Sequence, residues 1–132
     1  MKVLTVDDSR LIQRMYGLLF MKYKNCEVAQ AGNGVEALEV LSHDKDFDMI
    51  ILDMNMPLMN GLQFLEKMKE LRHRHIPVVM ISTEDKEKAA LQAMKLGAWG
   101  YLRKPFKSEE LYTLVDQVMA GSAPVLKTSR IC

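Results

Sequence analysis

The chain has 132 residues, 48% hydrophobic and 27% charged, a balance that excludes a disordered chain and fits a single globular domain. Eighteen Lys and Arg stand against seventeen Asp and Glu, a net charge of +1, so there is no basic excess for nucleic acid and no direct DNA binding is expected. No apolar run nears the ~18 residues of a membrane span, the start lacks a signal peptide's apolar core, and the two cysteines form no CxxC, so a cytoplasmic, reducing setting without membrane insertion is the expectation.

Apolar runs alternate with segments of helical period. Val3-Leu4-Thr5-Val6 reads as a buried strand. Ser9 suits a helix N-cap, and Leu11, Ile12, Met15, Leu18, Leu19 and Lys22 recur behind it at helical spacing. Cys26 to Ala31 alternates like a strand at a sheet edge, Gly32-Asn33-Gly34 breaks it, and Val35 to Leu41 resumes a helix. Phe47 to Asp53 is the strongest strand, and Asn55 to Gly61 is a loop. Leu62 to Leu71 is an amphipathic helix, Pro77 to Ser82 a strand, and Glu84 to Leu96 a helix stopped by Gly97. Trp99 to Arg103 is a strand and Ser108 to Ala120 a final helix. The boundaries expected are a folded domain over 1–121 and a tail over 122–132, which has Ser, Pro and Thr without a clear period. Five strand–helix units with near-continuous apolar strands predict a parallel sheet covered on both faces, an α/β three-layer sandwich.

In such a sheet ligands bind beyond the carboxyl ends of the strands. The first strand ends on Asp7 and Asp8, the third on Asp53, the fourth on Ser82 and Thr83, and the fifth on Lys104, followed by Pro105. If the first and third strands are neighbours, three carboxylates converge and repel one another. A divalent cation relieves them, and Mg²⁺ favours carboxylates, a backbone carbonyl, water and a phosphate oxygen. With the Lys104 ammonium and a hydroxyl, the set suits a phosphoryl group.

The motifs Val6-Asp7-Asp8-Ser9, Leu52-Asp53-Met54-Asn55-Met56-Pro57, Gly61, Ile81-Ser82 and Gly100-Tyr101-Leu102-Arg103-Lys104-Pro105-Phe106 resemble the receiver domain of bacterial two-component response regulators. The likeness covers about residues 1 to 120, and within the family it is strongest to stand-alone chemotaxis regulators. It implies a flavodoxin-like (βα)5 fold with strand order 2-1-3-4-5. It also implies that Asp53 is the phosphoacceptor for a histidine kinase. Asp8, Asp53 and the Asn55 backbone carbonyl would hold Mg²⁺, with Mn²⁺ as a substitute, and Asp7 would act mostly through water. Lys104 and Ser82 would contact the phosphoryl group. Tyr101 would swing inward in response, switching a face of the fourth helix, fifth strand and fifth helix that a downstream protein reads. Lys104-Pro105 would be a cis peptide. Asn55 and Glu84 would tune hydrolysis of the acyl phosphate, with a phosphatase as a further partner. The protein would be a switch catalysing only its own phosphoryl transfer and loss.

Other readings compete. Asp7-Asp8 alone suits a turn and helix cap. Gly32-Asn33-Gly34-Val35-Glu36-Ala37 matches a dinucleotide fingerprint but follows the second strand instead of the first. Arg72-His73-Arg74-His75 reads as cations closing a helix. Met54, Met56 and Met59 flank Asp53 and suit partner contact, while Met15, Met49, Met68, Met80 and Met94 fall at core spacing. The last helix has no Lys or Arg between Leu111 and Ala120, unlike motor-binding relatives, and Thr83 is bulkier than usual at its position. A phosphorelay regulator and an unphosphorylated docking receiver are the alternatives. An aspartyl-phosphate phosphatase would want D-x-D where Asn55 stands, and an FMN carrier would want a Gly- and hydroxyl-rich first loop.

Overall fold

The computed structural model describes residues 1–44, 46–56, 58–71, 75–83 and 87–121, with the backbone alone for 87–89. Glu84, Pro57, Arg72 to Arg74 and the tail 122–132 lie outside the described residues. The elements in chain order are β1 (Lys2–Val6), α1 (Arg10–Phe20), β2 (Glu27–Ala31), α2 (Gly34–His43), β3 (Met49–Asp53), α3 (Gly61–Glu70), β4 (Val78–Ser82), α4 (Glu87–Lys95), β5 (Gly100–Arg103) and α5 (Ser108–Met119). The strands form one sheet, and every pair is parallel, in the order β2-β1-β3-β4-β5. All five residues of β3 and of β4 are buried, as both-face coverage requires.

Strand alternation sorts the core into two layers. Leu4, Ile50, Leu52, Met80 and Tyr101 point to one face and meet Ala37 and Leu41 of α2, Phe64 and Met68 of α3, and Ala90 and Ala93 of α4. Val3, Met49, Ile51, Val79, Ile81 and Leu102 point to the other and meet Tyr16 and Phe20 of α1 and Leu111, Leu114 and Val115 of α5.

The helix ends follow local chemistry. Ser9 caps α1 by accepting the Ile12 N–H. Asn33 caps α2, and the Glu36 carboxylate accepts the Gly32 N–H at 2.8 Å. The loop's fingerprint-like glycines are thereby closed on the chain's own carboxylate, the arrangement of a helix start. Gly97 follows α4 with φ at +104°, the left-handed stop its position predicts.

One face prediction is corrected. Leu11 and Leu18 are 73% and 65% exposed, and α1 buries Gln13, Tyr16 and Phe20 instead. Ile12, Met15 and Leu19 flank that stripe half-buried. The helix turns its two large aromatics toward the sheet because they remove the most apolar area from water.

A clasp ties the carboxyl end of α1 to α5. The Tyr23 hydroxyl donates to Asp116 at 2.9 Å, and the Tyr112 hydroxyl donates to the Leu19 carbonyl at 2.8 Å. The two rings meet edge-on with centroids 5.8 Å apart, and the Lys22 ammonium lies 4.1 Å from the Tyr112 centroid.

Candidate metal centre

Strands β1 and β3 are neighbours, paired Val6 to Leu52, so the residues that follow, Asp7 and Asp53, stand level at the carboxyl edge. This is where the strand order reverses and where ligands of open α/β sheets bind. Asp7 and Asp53 are buried and Asp8 is exposed. Oxygens of the three carboxylates lie within 4.8 Å of one another. One Asp7 oxygen accepts the Ser9 N–H at 2.9 Å, which holds that side chain in place. Across the site, the Lys104 N–H donates to the Ser82 carbonyl at 2.7 Å, anchoring the residue to the end of β4. Its ammonium then sits 3.4 Å from Asp53 Oδ1 and 3.5 Å from Asp7 Oδ2.

Those distances exceed the ~2.8 Å of a tight charge-assisted bond, so Lys104 stands between two carboxylates and is committed to neither. Against three carboxylates it leaves two negative charges, the charge of one divalent cation. Burial pushes the Asp53 carboxyl above its usual range and Asp7 adds to this, while Lys104 and the Asn55 backbone pull it partly back. The crowding, the oxygen-only donor set and the charge deficit all fit Mg²⁺, with Asp7, Asp8 and Asp53 as the residues to hold it.

The Asp53 shift has a consequence for stability. Its carboxyl holds its proton more tightly folded than unfolded, so the ionised form opposes folding at neutral pH. The opposition disappears as pH falls through the raised folded value. Asp53→Asn is therefore expected to raise the melting temperature of metal-free protein at pH 7, with the gain shrinking toward acid pH. Calorimetric melts in EDTA across pH check this, and an unchanged or lowered value at pH 7 contradicts it.

The other predicted site residues fall around this centre. Ser82 and Tyr101 are both buried. Strand alternation turns Ser82 to the Met80 face, and Met80 pairs with Tyr101, so the residues share the layer that α4 covers. Tyr101 already lies inward, at 1% exposure. Asn55 is exposed beside Asp53, and the Lys104–Pro105 peptide is cis. Thr83 is exposed and lines an apolar cleft of about 300 Å³ with Ile12, Met15, Lys104, Pro105 and Phe106. Met54 and Met56, expected at a partner surface, are buried in the core instead. The loop folds back so that the Gly61 N–H bonds the Met54 carbonyl, which turns both side chains beneath it. Leu58, also in this loop, is 81% exposed and at φ +70°.

Two neighbours of the site went unread in the sequence. Burial pushes the Tyr16 hydroxyl well above its usual range, and the nearby Asp7 and Asp53 carboxylates add to this, so it stays protonated. Gln13 is buried beneath the β1 end. The spacing 13-16-20, with two aromatics, carries the signal for this inward stripe.

Comparison with known proteins agrees with the geometry. The chemotaxis protein CheY1 of Helicobacter pylori is 36% identical over 120 residues, 90% of this chain and 97% of that protein. The crystallised chemotaxis protein CheY4 of Vibrio cholerae superposes with a TM-score of 0.80 at 35% identity, covering 89% of this chain and 97% of that one. A protein-glutamate methylesterase/protein-glutamine glutaminase of Treponema pallidum is 42% identical over 141 aligned positions, 98% of this chain but 34% of that protein. The response regulator receiver domain family matches residues 3–116. With the strand order, the acidic triad and the lysine opposite it in place, this chain belongs to the receiver domains of response regulators.

Proposed function

We propose that this receiver accepts a phosphoryl group from a kinase phosphohistidine onto Asp53, in a Mg²⁺-dependent reaction, and signals in chemotaxis. The observation that carries the reading is Asp53 at the end of β3, between the Asp7 and Asp8 carboxylates and the Lys104 ammonium. An Asp53 carboxylate oxygen attacks phosphorus, the phosphorus–nitrogen bond breaks, and the imidazole leaves with the electron pair and takes a proton. When bound, Mg²⁺ neutralises charge shared between the carboxylates and a phosphoryl oxygen. Lys104 then trades its carboxylate partners for the phosphoryl group, and the Ser82 hydroxyl bonds another of its oxygens.

The signal leaves through α4, β5 and α5. Ser82 shares the α4-covered layer with Tyr101, so a movement of the hydroxyl repacks the ring against α4. Asn55 and Glu84 set how fast water returns the switch to rest. The chemotaxis proteins among the relatives support a protein target in chemotaxis.

Incubation of the full chain with Mg²⁺ and a small phosphoramidate donor should add one phosphoryl group, read by intact mass. Asp53→Ala should take up none. Wild-type protein that stays unmodified overturns the proposal.

The match to the methylesterase favours a second reading, because it extends over 98% of this chain at the higher identity. Here the same phosphorylation controls a methylesterase-type output domain. Pull-downs with beryllofluoride-activated and resting protein separate the two. A flagellar or other signalling partner enriched on activation supports the first, and selective binding of a methylesterase catalytic domain supports the second.

A further inference from the structure

We infer that Gln13 is a positioning residue for the metal centre, fixing the Asp7–Asp8 peptide so that Asp8 faces the other two carboxylates. This rests on the reading of Asp7, Asp8 and Asp53 as the Mg²⁺-binding phosphoacceptor site. The Gln13 carboxamide is buried where β1 and β2 stop pairing. Its nitrogen lies 2.9 Å from the Ala31 carbonyl, 3.0 Å from the Asp7 carbonyl and 3.2 Å from the Thr5 carbonyl. Its oxygen accepts the Thr5 hydroxyl at 2.5 Å. Three carbonyls can only accept, so the end that faces them must be the nitrogen, and its two hydrogens are shared among them.

The placement has a specific consequence. The Asp7 carbonyl belongs to the peptide that leads into Asp8, so holding that oxygen sets the plane from which the Asp8 side chain departs. The Asp7 N–H bonds the same Ala31 carbonyl at 3.1 Å, and the Asp7 carboxylate is held by Ser9. Asp7 is thus fixed at its N–H, carbonyl and carboxylate, and one amide ties it to the ends of both strands. Asp8 is exposed and has no comparable packing to orient it. Groups that orient metal ligands in this way typically account for 10–100-fold in metal affinity.

Mg²⁺ titration by calorimetry, with thermal unfolding in EDTA to establish the folded fraction, tests this on the full chain. Gln13→Met keeps the bulk and loses the donors, so Mg²⁺ affinity should fall about tenfold. Gln13→Arg restores donors for the three carbonyls. Thr5 then turns to the Ala29 carbonyl, already 3.4 Å away. Affinity should stay within about threefold of wild type. If Gln13→Met does not fold, Thr5→Val carries the test by freeing the carboxamide to rotate, with an expected loss of about threefold. Wild-type affinity in Gln13→Met or, where that variant is unfolded, in Thr5→Val overturns the inference. So does an equal loss in Gln13→Met and Gln13→Arg. Failure of the parent reading looks different, since wild-type protein then binds no Mg²⁺.

Discussion

Gly61→Ala is expected to destabilise the protein by about 2–3 kcal/mol and to lower its melting temperature by roughly 10 °C. A methyl group at this position would lie 2.9 Å from the Met54 Cα, 2.9 Å from the Met80 sulfur and 3.1 Å from the Asp53 carbonyl. The Met80 side chain can swing away. The other two atoms are backbone at the end of β3 and can yield only if the strand end moves. That strand end carries Asp53, and the loop closed by the Gly61 N–H carries Asn55. The same substitution should therefore weaken Mg²⁺ binding as well as folding, and Gly61→Val should do both more severely. Thermal melts paired with Mg²⁺ titrations check this. A stability loss under 1 kcal/mol would mean that the loop relaxes freely.

In the proposed reaction, Lys104→Met should slow phosphoryl uptake by about 10²-fold or more, because it removes the ammonium that would meet the transferring oxygens. It should also destabilise metal-free protein by about 1–2 kcal/mol. Breaking a fully buried ion pair costs about 3–5 kcal/mol. Lys104 is about one-fifth exposed and loosely placed, which argues for a smaller loss. Saturating Mg²⁺ should restore most of the stability and little of the rate, since the cation replaces the charge without replacing the ammonium's position. Unfolding and single-turnover phosphorylation, each with and without Mg²⁺, separate the two effects. If Mg²⁺ restores none of the stability, the carboxylates do not form its site.

The architecture was legible because the central strands β3 and β4 are apolar on both faces, a pattern typical of covered parallel sheets, while β2 alternates as an edge strand does. The site was legible for a related reason. Asp7 and Asp53 directly follow apolar runs, Asp8 comes one residue later, and Lys104 follows Arg103 at the end of β5. Polar residues placed there fall on the ligand-binding edge. The rotation of α1 was not legible. Adjacent stripes 12-15-19 and 13-16-20 both satisfy helical period, and only contact with the sheet decides between them. Gln13 was hidden for a deeper reason. Hydropathy counts it as a surface residue, and its partners are backbone carbonyls, which every residue has and no sequence pattern marks. Met54 and Met56 were misplaced because a loop that folds back under itself leaves no periodic trace.

The clasp between α1 and α5 bears on how the protein can be joined to others. Beginning at Ser108, shortly after Lys104, α5 runs about 18 Å over its twelve residues. Asp116 meets Tyr23 just past the far end of α1. Met1 lies at that same end, where its amino group donates to the Asn25 carbonyl and its own carbonyl accepts the Glu27 N–H. A label, tether or fused module attached at Met1 or after α5 therefore departs from the edge opposite Asp53. The carboxylate cluster at the other edge stays uncovered, so a receiver of this layout can be joined to a further module without obstructing its acidic cleft.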